Sequence, residues 1–191
     1  MTLTIRRGGT PEDVAAIGEL HALSRRSAYR ELLSPRQLAE ITVADQQDQW
    51  ARRYAAEAHT HRLHLAVRDT AVIGFSYLGP AGPEEQAAPG TGLLNAIHVR
   101  PDVVGSGVGL ALMGTCLAEF AALGHHQALL YVVTDNIRAR RFYERGGWAA
   151  DGVVRDTVIG PARVPVVRYA RPIAAQLPSA SESAASTRTA R

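Results

Sequence analysis

The sequence predicts an α/β (α+β) protein built around a single sheet of about seven strands. Three observations lead there. Short apolar runs of strand length recur from Leu3 to Tyr169, and apolar residues at helical spacing fill several of the stretches between them. The third is Leu93 to Leu123, which reads strand, glycine-rich turn and helix in direct succession.

Leu3-Thr4-Ile5-Arg6 alternates as a first strand. Thr10-Pro11-Glu12-Asp13 opens a helix, with a hydroxyl cap, a proline in the first turn and two acids beside the positive end of the dipole. That helix carries Val14, Ile17, Leu20, His21 and Leu23 near one face and is expected to end near Tyr29. Ser34-Pro35 starts a second helical region, expected to run unbroken through Leu38, Ile41 and Trp50 to about Glu57. Arg62–Arg68 and Ala71–Tyr77 are strands of a hairpin turning at Asp69-Thr70. Gly79 to Gly92, rich in proline and glycine, is expected as loop.

Leu93–Val99 is a strand that Pro101 ends, because proline cannot donate to a ladder. The helix after the glycine run carries Leu112, Met113, Cys116, Phe120 and Leu123. Gln127–Val133 is an apolar strand of the buried type, and Asn136 caps a helix that stops at Gly146-Gly147. Trp148–Val154 and Val164–Tyr169 are the last strands, with a loop at Gly160-Pro161. Residues 1–173 are therefore expected as one domain. From Ala174 the composition offers few large apolar side chains to offset ordering entropy, so residues 174–191 are expected as a disordered tail.

Gly105-Ser106-Gly107-Val108-Gly109, at a helix start, leaves backbone N–H groups open to an anion where the dipole adds positive charge. A P-loop needs Gly-Lys-Ser/Thr, and the chain has no lysine. The dinucleotide pattern Gly-x-Gly-x-x-Gly fails as well: its last position falls on Leu110 or Leu112, and the stretch where an acidic ribose reader belongs is apolar. On its own, the run also fits a tight turn whose glycines serve only geometry.

Two ordered motifs narrow the choice. Val104-Gly105-Ser106-Gly107-Val108-Gly109 resembles motif A of the GCN5-related N-acetyltransferase (GNAT) family, Gln/Arg-x-x-Gly-x-Gly/Ala after a strand. Asn136-Ile137-Arg138-Ala139-Arg140-Arg141-Phe142-Tyr143-Glu144-Arg145-Gly146-Gly147-Trp148 resembles the family's Asn-x-x-Ala-x-x-Phe-Tyr-x-x-x-Gly-Phe segment, with Trp in the last place. The resemblance spans roughly Leu3 to Arg171 and is strongest from Leu93 to Gly152. It implies a mixed, mostly antiparallel sheet with helices on both faces. It also implies that the strands at Leu93–Val99 and Gln127–Val133 splay around acetyl-CoA. The implied activity is acetyl transfer to a primary amine of a small molecule or peptide, by direct attack in a ternary complex. A non-catalytic acyl-CoA sensor on the same fold is the alternative, because Val104 stands where the family has Gln or Arg and Leu93 aligns with the family's glutamate base.

The resemblance lays the diphosphate on the N–H groups of Gly105, Ser106, Gly107, Val108 and Gly109 beside Val104, with Arg100 and Arg140 as supplementary charge. Ile97, His98 and Val99 would line the cofactor, Asn136 would reach the pantetheine arm, and an N–H near Val99 would hold the oxyanion where the family's sheet is interrupted. Tyr143 would protonate the departing thiolate, a phenol with a pKa of about 10 against about 8.5 for a thiol; a core aromatic is its plain structural reading. For the base the candidates are Glu84, Glu85 and His98, which period-two alternation sets on one face with Leu94 and Ala96. Water relay at Asn95 and uptake of the neutral amine are the other routes. Acceptor binding would fall to Tyr29, Trp50, Asn95 and the loops Gly79–Gly92 and Asp156–Arg163.

The composition, 20% charged and 46% hydrophobic over 191 residues, is that of a soluble globular protein. All 21 basic residues are arginine, which suits phosphate and carboxylate. With a net charge of +3 and no dense basic block, nucleic acid is not an expected partner. No membrane-length apolar run or signal peptide appears, so cytoplasm is the expected location. Cys116, the single cysteine, is expected buried on the inward face of its helix. The expected partners are acetyl-CoA and a small amine; a homodimer is allowed, and neither membrane nor metal is called for.

Overall fold

The computed structural model describes residues 2–160 and 162–174, so the expected tail lies outside the described residues except for its first residue. The elements are β1 Leu3–Arg7, α1 Pro11–Ala28, α2 Pro35–Ala39, α3 Val43–Glu57, β2 Arg62–Arg68, β3 Ala71–Pro80, β4 Thr91–Val99, α4 Val108–Ala122, β5 Gln127–Val133, α5 Ile137–Arg145, β6 Ala149–Ile159 and β7 Ala162–Pro172. The strands form one seven-stranded sheet in the order β1-β2-β3-β4-β5-β7-β6. Among the described residues only the β4–β5 pair is parallel, so the sheet is mixed and mostly antiparallel as expected.

Alternation along β3 divides the core. Phe75 and Tyr77 face α1 and α3, where Val14, Ile17, Leu20 and Trp50 close over them. Leu78 faces the other way, into Met113, Cys116 and Phe120 of α4 and Tyr143 of α5. Leu112, Cys116 and Phe120 are fully buried; at about 1.5–3 kcal/mol for each large apolar side chain, they pin α4 to the sheet. Burial also pushes the Cys116 thiol up to about 12, which makes it a packing residue.

The elements depart from the sequence reading at their ends. The second helical region is two helices, because Thr42 starts α3 by accepting from the Asp45 N–H at 3.1 Å. β3 and β4 extend into the expected Gly79–Gly92 loop and leave residues 81–90 with a short 3₁₀ turn at Pro83–Glu85. The expected Asp156–Arg163 loop is instead a strand hairpin reaching Ile159 and resuming at Ala162, so the loop was drawn too wide.

Candidate active site

The cleft begins where β4 and β5 part. Their pairing runs only from Thr91↔Gln127 to Leu94↔Leu130, although β4 continues to Val99 and β5 to Val133. The next residue, Asn95, is an extra one: Tyr77 pairs with Ala96 and Leu78 with Leu94, so β4 bulges between them. A bulge bends its strand and increases its twist, which carries the second half of β4 away from β5. The interruption expected near Val99 therefore lies at Asn95. The bulge also resets the faces: Leu94 and Ile97 pack toward α4, while Ala96 packs toward α1 and α3 and His98 stacks on Phe75. Leu94, Ala96 and His98 do not share a face, because one inserted residue shifts a period of two.

The turn before α4 stands on the α4 side of this cleft. Gly105 (φ 91°) and Gly107 (φ 88°) adopt the left-handed backbone that side chains disfavour, and an added Cβ at either would meet open space. Their requirement is therefore conformational. Gly107 starts α4 with no side-chain cap. Among the described residues, the N–H groups of Gly105, Gly107, Val108 and Gly109 find no acceptor. Orphan donors at a helix N-terminus, with unfilled space before them, fit a diphosphate. Ser106 is the exception, since its N–H and its hydroxyl both donate to the Val103 carbonyl, at 3.2 and 2.6 Å. Val104 is exposed and offers no polar atom.

α5 supplies the other wall. Asn136 caps it, Oδ1 accepting from the Ala139 N–H at 3.1 Å, which leaves its amide NH₂ for another partner. Tyr143 is buried between Phe142, Trp148 and Tyr169, with ring centroids 5.4, 6.4 and 6.3 Å away. Burial pushes its pKa above the ordinary phenol value, with further upward influence from Tyr29 and Cys116. It is a proton donor throughout the neutral range. Arg140, by contrast, is committed to structure: it donates to the Tyr169 hydroxyl at 3.1 Å and to the Thr134 carbonyl at 3.2 Å. Arg100 is likewise held by Asp102 at 2.7 and 2.9 Å.

Residues 25–148 match the Acetyltransferase (GNAT) family. The chain belongs to that family. The mycothiol acetyltransferase of Geodermatophilus obscurus is 37% identical over 82 residues, which are 43% of this chain and only 27% of that protein's length. The fold is shared with the paia N-acetyltransferase of Thermoplasma acidophilum, solved in complex with coenzyme A, at a TM-score of 0.66 and 16% identity over 90% of this chain and 99% of that one. The Escherichia coli ribosomal-protein-S18-alanine N-acetyltransferase superposes at 0.65 with 19% identity, over 93% and 98%.

Within this GNAT fold several expected site residues are occupied elsewhere. Trp50 is core: its indole N–H donates to His21 at 3.0 Å and its ring packs on Phe75 and Tyr77 at 5.3 and 5.2 Å. Asn95 accepts from Arg53 at 2.6 Å and donates to the Leu93 carbonyl at 3.2 Å, which holds its side chain in the bulge. The ring of His98 meets the Ser24 hydroxyl at 2.8 Å and lies 4.5 Å from His21; burial, with Arg25 nearby, lowers its pKa to about 3. That makes it too weak a base at neutral pH. Glu85 is buried, accepts from the Tyr131 hydroxyl at 2.5 Å and pairs with Arg155 at 3.1 Å, while Glu84 is exposed and folds back on Gly82. Tyr29, at the C-terminus of α1, is partly buried and packs on the cluster of Leu33, Ile41 and Val133. Arg25 was missed. Its signal is the His21, Arg25, Tyr29 row at four-residue spacing, which lines one side of α1.

Proposed function

We propose that this chain is an acetyl-CoA-dependent N-acetyltransferase that acetylates a primary amine of a small molecule or peptide by direct transfer in a ternary complex. The observation that carries the reading is the unpartnered N–H row of Gly105, Gly107, Val108 and Gly109 beside a cleft that also receives a buried tyrosine. Acetyl-CoA, when bound, supplies the activated acetyl group. The N–H row holds its diphosphate, the Asn136 amide is available to its pantetheine arm, and Tyr143 keeps a proton ready at its hydroxyl for the departing sulfur. Past Leu94 the β4 edge has lost its β5 partner, which leaves main-chain donors available to a developing oxyanion. The chain takes up the neutral fraction of the amine, and the proton its nitrogen sheds as the amide forms restores the Tyr143 hydroxyl after that group has protonated the departing sulfur.

The engagement of Glu85 with Arg155 and Tyr131 favours a second reading, an acyl-CoA sensor without turnover. Thiol release from acetyl-CoA across a panel of primary amines separates the two. The enzyme reading expects amine-dependent release and an acetylated product. Tight acetyl-CoA binding with no release for any amine would overturn it in favour of the sensor.

A further inference from the structure

The face of the sheet opposite α4 has its own opening. Between α1, α3 and the β6–β7 hairpin lies a cleft of about 450 Å³, lined by Arg25, Asp45, Gln46, Gln49, Val158 and Gly160 with Glu40 at its rim. α1 leads from it toward the splayed strands: Ser24, next to Arg25, meets the ring of His98 on β4 at 2.8 Å, and Tyr29, one turn beyond Arg25, packs on the cluster that holds Val133 at the end of β5. Because α4 approaches the sheet from the other side, this is the side left for the acceptor.

Arg25 is the unusual group there. Its side chain is partly withdrawn from water, and its one hydrogen bond is a long 3.4 Å contact to the Gln46 Oε1. It forms no ion pair among the described residues. Arg53 and Arg168 are also partly withdrawn and hold the carboxylates of Glu57 and Asp151 at 2.8 and 2.7 Å, while Arg140, without a carboxylate, is held by the Tyr169 hydroxyl and the Thr134 carbonyl at 3.1 and 3.2 Å. Neither carboxylate of the cleft neutralises Arg25. Asp45 is tied to its own helix start, where the Thr42 hydroxyl donates to it at 2.6 Å, and Glu40 is exposed at the rim. Burial lowers the pKa of Arg25, so its charge is paid for by desolvation without a compensating anion. A guanidinium kept in that state is a docking fork for a planar carboxylate.

We infer that the acceptor is a small amino-carboxylate, an amino acid or short peptide, whose carboxylate docks on Arg25 while its amine points past Tyr29 toward Tyr143. This specificity rests on the acetyltransferase reading but is tested separately from it. Amino acids and their carboxamides are compared as acceptors for the wild type, Arg25→Gln and Arg25→Lys, with calorimetry of acetyl-CoA and of the amino acids alongside. The wild type should show a KM about 30-fold lower for the acid than for its amide. Arg25→Gln should collapse that ratio toward one, mainly through KM, Arg25→Lys should recover part of it, and both should bind acetyl-CoA as the wild type does. Equal use of acids and amides by the wild type, rejection of both, or a ratio indifferent to Arg25→Gln would overturn the inference while leaving acetyl transfer standing. Carboxylate binding that depends on Arg25, in a chain that ignores acetyl-CoA, would instead overturn the transferase and keep the anion site.

Discussion

Among the described residues, four α-helices begin with a side chain folded over their first turn, and one does not. Thr10, Ser34, Thr42 and Asn136 accept from the N–H three residues on, at 3.2, 3.3, 3.1 and 3.1 Å. α4 starts at Gly107, in the left-handed region, with no cap at all. The capped starts complete themselves from the chain's own atoms, each worth about 1 kcal/mol. The uncapped start keeps its donors for something from outside, at the mouth of the one parallel seam in the sheet. On the proposed reading, the contrast marks where the fold stops serving its own stability and starts serving a ligand.

Filling the open start should have the largest effect. Gly107→Glu puts bulk and negative charge where the diphosphate is expected and should weaken acetyl-CoA binding by about 100-fold or more, measured by calorimetry. Open space surrounds Gly107, so the fold should survive with a strain cost of about 1–2 kcal/mol. Gly107→Ala sharpens the comparison, since it imposes the strain without the charge and should retain most of the affinity. Full binding by Gly107→Glu would mean the cradle is misplaced.

Tyr143→Phe comes next. It removes the hydroxyl from a buried ring and should lower kcat by about 100-fold, with the acetyl-CoA Kd within about twofold. Unchanged turnover would remove Tyr143 from the chemistry. The pH profile is a smaller lever. With the pKa of His98 lowered to about 3 and that of Tyr143 raised by burial, neither changes charge near neutrality. Below the amine's own pKa, kcat/KM should climb about tenfold per pH unit and then level, the plateau moving with the acceptor. An inflection near pH 6.5 that is the same for every acceptor would point to a base on the protein. The smallest effect belongs to a capped start: Thr10→Ala should cost about 1 kcal/mol in thermal unfolding and leave acetyl-CoA affinity untouched.

Much of this was legible because it is local. Thr10-Pro11, the turn at Asp69, the glycine run and the Asn136 cap each announce themselves within a few residues, and the structure forms all four. The misreadings come from what a chain read in order does not contain. Asn95 is a bulge only because β3 fixes the register beside it, and that one residue moved Ala96 and His98 off the face expected for Leu94. Trp50 looks like a pocket residue until Phe75 and Tyr77 close on it from another element. Glu85 looks like a candidate base until Arg155 and Tyr131 arrive from β6 and β5. The reverse error hid Arg25, whose place in a cleft with a single long contact to Gln46 is visible only once α3 is packed beside α1.

Amide NMR of the labelled wild-type protein, titrated with coenzyme A and in parallel with pantetheine, tests the open helix start most directly. The N–H resonances of Gly105, Gly107, Val108 and Gly109 should shift with coenzyme A and stay in place with the phosphate-free arm, while those of the capped starts at Asp13 and Asp45 move with neither. If those four resonances stay still while coenzyme A binds, or follow pantetheine equally, the diphosphate lies elsewhere and the uncapped glycines are only a turn.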